Sequence, residues 1–133
     1  MRILAIDYGT KNIGLAISNR EETLALPYKT IPLNQALLKD LKSIIKEEGI
    51  DTVIVGVPQY KTETRFFKST QIFIQKLRAR ILIPIVPFDE LLSSEDARKR
   101  LPNDKSRQHE VAAMLILEQY LAVLNHRNEN FSP

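Results

Sequence analysis

The stretch Asp51–Pro58, DTVIVGVP, is a short, continuous apolar run of mostly β-branched residues. A strand with one wet face alternates apolar and polar residues; a run without alternation forms a strand covered on both faces. Apolar layers must therefore lie above and below it, and the flanking segments supply them. Before it, Leu37, Leu38, Leu41, Ile44 and Ile45 recur at helical spacing, with Asn34 as the expected N-cap and Gly49 as the stop. After it, Phe66, Thr70, Phe73 and Leu77 form one stripe of a helix expected from about Thr64 to Arg80. The run ILIPIVPF, Ile81–Phe88, reads as another strand, and its two prolines keep it from being a fully paired central one.

The N-terminal third has a different rhythm. Arg2–Asp7 and Ile13–Asn19 read as strands joined by YGTKN, where Gly9 supplies the unusual backbone angles of the turn. Leu24–Ile31 reads as a third strand, broken by Pro27 and so placed at an edge. Ser93 and Asp96 have capping-box spacing and open a short helix. The last helix is expected from Ser106 to about Asn125, with Ala112, Ala113, Ile116, Tyr120 and Leu124 facing inward and a frayed polar tail over 126–133. The order is an antiparallel three-strand meander followed by alternating units. It predicts a mixed α/β sheet with parallel strands beside the meander and helices on both faces. At 133 residues, one domain over 1–133 is expected, large enough to fold on its own core.

Composition removes several classes of function. The absence of cysteine excludes disulfides, thiolate metal sites and cysteine nucleophiles. No apolar run approaches the roughly 18 residues of a membrane span, and MRILAIDYG does not read as a signal peptide; the expected location is the cytoplasm, away from membranes. A net charge of +3 and a pI near 9.2 permit a nucleic-acid partner without requiring one.

Chemistry-bearing residues gather at the ends of elements. Asp7 closes the first strand, Asp89 and Glu90 close the last, and His109 and Glu110 stand in the opening turn of the last helix. Ligands of open α/β sheets gather beyond the carboxyl ends of strands. Carboxylates converging there suit a hard divalent cation such as Mg²⁺, and a pair of such ions can serve phosphodiester hydrolysis. Each residue also has a plainer role. Aspartate before glycine forms turns, acidic pairs before a helix complement its dipole, and a lone histidine on a helix is commonly solvated. Ala112 and Ala113 share a helix face with His109, and their small size would let that helix pack close to the sheet and bring His109 towards Asp7. For substrate phosphates the candidates are Lys11, Lys61, Arg65, Arg98, Lys105 and Arg107, with Tyr60 as a surface on which a base can stack.

AIDYGTKNIGLAIS, VIVGVPQ, IVPFDELLSSEDA and HEVAAMLILEQYL occur in the order and spacing of the YqgF/RuvX family, and nearly the whole chain resembles it. The resemblance implies an RNase H-like fold and a nuclease dependent on Mg²⁺ or Mn²⁺, acting on structured nucleic acid: precursor 16S rRNA or branched, Holliday-junction-like DNA. It assigns Asp7 and Glu90, beside Asp89, to two of three acidic positions. The third falls on His109, with Glu110 next to it. Imidazole suits Zn²⁺ or Mn²⁺ better than Mg²⁺; His109 can instead act as general acid, Glu110 can take the acidic role through a small helix shift, or catalysis is weakened. Asn12 and Leu91 also stand where the family usually carries arginine, and the segment after GVPQY lacks the family's glycine. The alternative to an enzyme is an RNA-binding ribosome-assembly factor of the same fold. A nucleotide-binding ATPase reading of DYGTKNIG fails on length, since such proteins close two lobes over the nucleotide. A junction substrate favours a homodimer, and a monomer serves the other substrates.

Overall fold

The computed structural model of the protein describes residues 1–58, 65–90 and 105–130, with 58, 65, 66, 90, 105, 106 and 127–130 described by backbone alone. The described elements are β1 (Ile3–Tyr8), β2 (Asn12–Ser18), β3 (Ala25–Pro32), α1 (Leu37–Glu48), β4 (Thr52–Pro58), α2 (Arg65–Arg80), β5 (Ile85–Glu90) and α3 (Lys105–Asn130). The helix expected at Ser93–Asp96 lies outside the described residues.

The strands form one five-stranded sheet in the order β3-β2-β1-β4-β5. The pairs β1–β2 and β2–β3 are antiparallel, whereas β1–β4 and β4–β5 are parallel. The carboxyl ends of β1, β4 and β5 therefore share one edge of the sheet. β4, the unalternating run, has strands on either side and helices on both faces. Leu37, Leu41 and Ile44 of α1, with Phe73, Ile74 and Leu77 of α2, pack on one face against Leu4, Ile6, Ile13, Leu15, Val53 and Val55. On the other face Ala113, Ile116, Leu117 and Leu121 of α3 cover Ile3, Ala5, Ala16 and Ile54. Both β3 and β5 are edge strands, as their prolines require. Lys29 faces Leu15 while Pro27 faces Ala16, so Tyr28 is the extra residue of a bulge in β3.

Several boundaries differ from expectation. β5 starts only at Ile85, because Pro84 has no N–H for the ladder; its carbonyl instead accepts the Val53 N–H at 2.9 Å. Asn34 does not cap α1. Its Oδ1 accepts the Ala36 N–H at 2.9 Å in a tight turn, and Ala36 takes the cap position without a side-chain bond. Gly49 does end α1, in the left-handed conformation with φ 63°, where a side chain would be strained. α3 continues past Asn125 to Asn130, so the polar segment expected to fray from 126 is helical at its start.

Far from the shared strand edge, Arg2 ties the sheet to α1. Its Nη1 donates to the Glu48 carbonyl at 2.8 Å and to the Glu48 carboxylate at 2.9 Å, and its Nε donates to the Ser18 carbonyl at 3.2 Å. The Glu48 carboxylate also accepts the Tyr28 hydroxyl at 3.2 Å. Burial, and then this carboxylate, push the Tyr28 hydroxyl's pKa above its ordinary value. The Arg2 and Glu48 side chains keep 22% and 29% of their surface, so solvent discounts the pair, and the two carbonyl bonds carry much of its worth. Arg2→Ala is expected to lower stability by about 1.5–2 kcal/mol, read as a lower urea midpoint with unchanged slope.

Candidate active site

Alternation along β1 sets the direction of Asp7. Ile3 and Ala5 pack beneath α3, while Leu4 and Ile6 pack on the opposite layer. Asp7 therefore follows Ile3 and Ala5 onto the α3 face. Tyr8 turns the other way and meets Phe73 of α2, ring centroids 4.6 Å apart. Asp7 is partly exposed, as befits a carboxylate at the sheet's edge.

Across the β1–β2 ladder, Asp7 faces Gly14. A Cβ at Gly14 would run into the His109 carbonyl group and lie 2.8 Å from the Glu110 backbone nitrogen. At Gly9, a Cβ would stand 3.6 Å from Cε1 of the His109 imidazole, besides colliding with the Asn12 carbonyl. Two glycines of one hairpin thus receive the residue that the sequence pointed to: its backbone over Gly14, its ring over Gly9. Small residues continue this face, with Ala5 in β1 and Ala16 in β2 against Ala113 of α3.

The other expected residues divide. Glu90 is the last residue of β5, paired with Pro58 of β4, at the same sheet edge as Asp7 and two strands away, about 10 Å laterally by strand spacing. It has the parity of Val86 and Phe88 along the strand, and both of those pack in the α3 layer; its side chain lies outside the described residues. Asp89 has the opposite parity. Phe88 meets Tyr120 of α3 edge-on at 5.4 Å, so the exposed Asp89 falls on the far side of the sheet from Asp7. The expectation that Asp89 joins Asp7 is corrected by the strand pleat. Glu110 accepts a hydrogen bond from Arg107 Nε at 3.1 Å in an i,i+3 ion pair, with its side chain 16% exposed. A cation would have to compete with that guanidinium for Glu110. Arg107, placed for substrate phosphate, is thereby partly spent within its own helix.

Lys11 is exposed in the β1–β2 turn, and its carbonyl accepts the Leu33 N–H at 2.9 Å, which steadies the turn. Arg65 opens α2 and Lys105 opens α3, both described by backbone alone, while Tyr60, Lys61 and Arg98 lie outside the described residues. Among the described residues, no group of three His, Asp or Glu side chains is placed to hold a metal ion. The described oxygen and nitrogen donors of this region are the Asp7 carboxylate at the end of β1 and the His109 imidazole at the start of α3, types of donor that divalent cations accept. Sequence reasoning missed Gly14. Its signal was present, since glycine inside an otherwise apolar strand marks a close backbone approach.

The family profile described as "RuvX: Holliday junction resolvase" matches residues 1–123. The chain belongs to this family. Among its relatives, the protein named "Putative pre-16S rRNA nuclease" of Maridesulfovibrio salexigens is 34% identical over 133 residues, covering 92% of this chain and 98% of its own. The protein of the same name from Bacillus subtilis strain 168 is 35% identical over 138 residues, covering 94% and 100%. Among solved structures, Thermus thermophilus RuvC in complex with Holliday junction substrate matches with a TM-score of 0.65 at 12% identity, over 94% of this chain and 96% of that one. The fowlpox virus Holliday junction resolvase matches with a TM-score of 0.52 at 14% identity, over 92% and 99%. These likenesses establish the RNase H-like fold of the family member described here. Among the described residues, no helix is long and apolar enough to cross a membrane.

Proposed function

We propose that this member of the RuvX family is a divalent-metal-dependent nuclease that hydrolyses phosphodiester bonds in structured nucleic acid, either precursor 16S rRNA or a branched DNA junction. The observation that carries the reading is that Gly14, which faces Asp7 across the β1–β2 ladder, lies directly under the His109 backbone at the start of α3. Family membership and the names of the relatives support it. Asp7 and Glu90 would hold Mg²⁺ or Mn²⁺, which would supply a Lewis acid for the scissile phosphate and a water of lowered pKa. His109 either adds a nitrogen donor to that site or carries the proton that the leaving oxygen takes up. Lys11, at the tip of the same hairpin, holds a neighbouring phosphate by charge. The chain forms one catalytic domain and acts in the cytoplasm, as a monomer on RNA or as a homodimer where a two-fold junction needs paired cuts.

His109 at the position of a third carboxylate favours a second reading, an RNA-binding assembly factor that has kept the fold and lost cleavage. One assay separates them. Purified protein is incubated with precursor rRNA, single-stranded RNA and a four-way junction, each with Mg²⁺, Mn²⁺ or EDTA. A nuclease gives discrete products with metal and none with EDTA. Salt-sensitive binding without products under either ion would support the assembly factor and overturn the nuclease.

A further inference from the structure

The α3 face of β2 is lined by Gly14, Ala16 and Ser18, each buried, while the larger Ile13, Leu15 and Ile17 pack on the opposite layer. Ser18 has its own structural task, accepting the Ile3 N–H on Oγ at 2.8 Å. Ala16 is covered by α3 in the ordinary way. Gly14 is different, because what occupies the place of its missing side chain is main chain. The His109 carbonyl and the following Glu110 nitrogen fill that volume, and a helix backbone cannot rotate aside as a side chain can. Any residue larger than glycine must push the start of α3 away from β2. The displaced segment carries His109, and the strand residue facing Gly14 across the ladder is Asp7.

We propose that Gly14 is a positioning residue of the site: its lack of a side chain sets how far His109 descends onto the hairpin that carries Asp7. The His109 imidazole lies beside Gly9, its Cε1 3.6 Å from where a Cβ would stand, which is an ordinary contact distance; the close approach that holds the ring's helix to the hairpin is at Gly14. The contacts along α3 towards its C-terminal half, through Ala113, Ile116 and Leu117, do not depend on position 14, so a methyl there tilts the start of the helix rather than detaching the whole of it. A tilt of about 1 Å at reacting groups costs roughly 10²-fold in rate where geometry is strict. The substrate phosphate held by Lys11, on the hairpin and not on α3, is little affected. The effect therefore falls on kcat more than on KM.

The kinetic part rests on the nuclease reading, while the geometric part stands without it. The test compares wild type, Gly14→Ala and Leu41→Ala, the last a core change on the opposite sheet face that lowers stability without touching α3. Steady-state cleavage is measured on whichever of the precursor rRNA or four-way junction the wild type cuts, and the His109 imidazole is followed by NMR. Folded Gly14→Ala should lose at least about tenfold in kcat, with KM nearly unchanged and with shifted His109 ring resonances. Leu41→Ala should keep its kcat while folded. Wild type should show a nuclear Overhauser effect between His109 Hε1 and the Gly9 Hα protons, weakened in Gly14→Ala. Wild-type kcat in folded Gly14→Ala, an equal kcat loss in Leu41→Ala, or absence of the wild-type Overhauser effect would each overturn the proposal. If Gly14→Ala does not fold, the wild-type Overhauser effect decides alone. If wild type cleaves nothing, the nuclease reading fails separately, and unshifted His109 resonances in Gly14→Ala would then overturn the positioning role.

Discussion

Asp7→Asn is expected to reduce metal-dependent cleavage by about 10³-fold or more while leaving the fold intact. The change keeps the size of the side chain and removes its charge. A metal-holding carboxylate contributes several kcal/mol of charge stabilisation, and 10³-fold corresponds to about 4 kcal/mol. Asp7 is at the rim, partly exposed, while the sheet beneath it is held by Leu4, Ile6, Ile13 and Val55. Unfolding by urea should therefore move by no more than about 1 kcal/mol. Cleavage by the variant at the wild-type rate would remove Asp7 from the site.

The second large effect concerns His109, at the start of α3. His109→Ala should slow cleavage by about 10²-fold whether the imidazole serves as donor or as general acid, since loss of a positioned proton carrier costs 10²–10⁴-fold. His109→Asp separates the two roles. If the imidazole is a donor, the aspartate variant retains activity and turns from Mn²⁺ towards Mg²⁺, because a carboxylate suits the harder ion. If it carries the proton of the leaving oxygen, the aspartate variant resembles the alanine one under both ions. Full activity in His109→Ala would show that the ring only packs beside Gly9.

The strand ends were legible in the sequence because burial leaves a mark that a carboxylate interrupts. Asp7 stands out after Ile3–Ile6, and the unalternating run of β4 fixed a strand with layers on both sides. Gly49 and the stripe through Thr70, Phe73 and Leu77 were equally plain, since caps and helical spacing are local signals. What failed was parity and distance. Asp89 and Glu90 are neighbours in sequence, and the pleat of β5, fixed by Phe88 packing in the α3 layer, turns Asp89 away from the face of Asp7. Pro84 moved the start of that strand for want of one N–H. The Arg2 clamp joins residues distant in sequence and leaves no local pattern. Gly14 lay in plain view as a glycine within an apolar strand, but its meaning depends on α3, which arrives from the other end of the chain.

The central claim is that the end of β1 and the start of α3 form a cation site on the sheet edge shared with the end of β5. Its most direct test is anomalous diffraction from crystals of the wild-type protein soaked in Mn²⁺. The account predicts a manganese peak in contact with the Asp7 carboxylate, on the α3 face of the sheet, and absent from Asp7→Asn crystals soaked alike. Manganese bound only elsewhere, or a peak at this edge that persists without the Asp7 carboxylate, would contradict it.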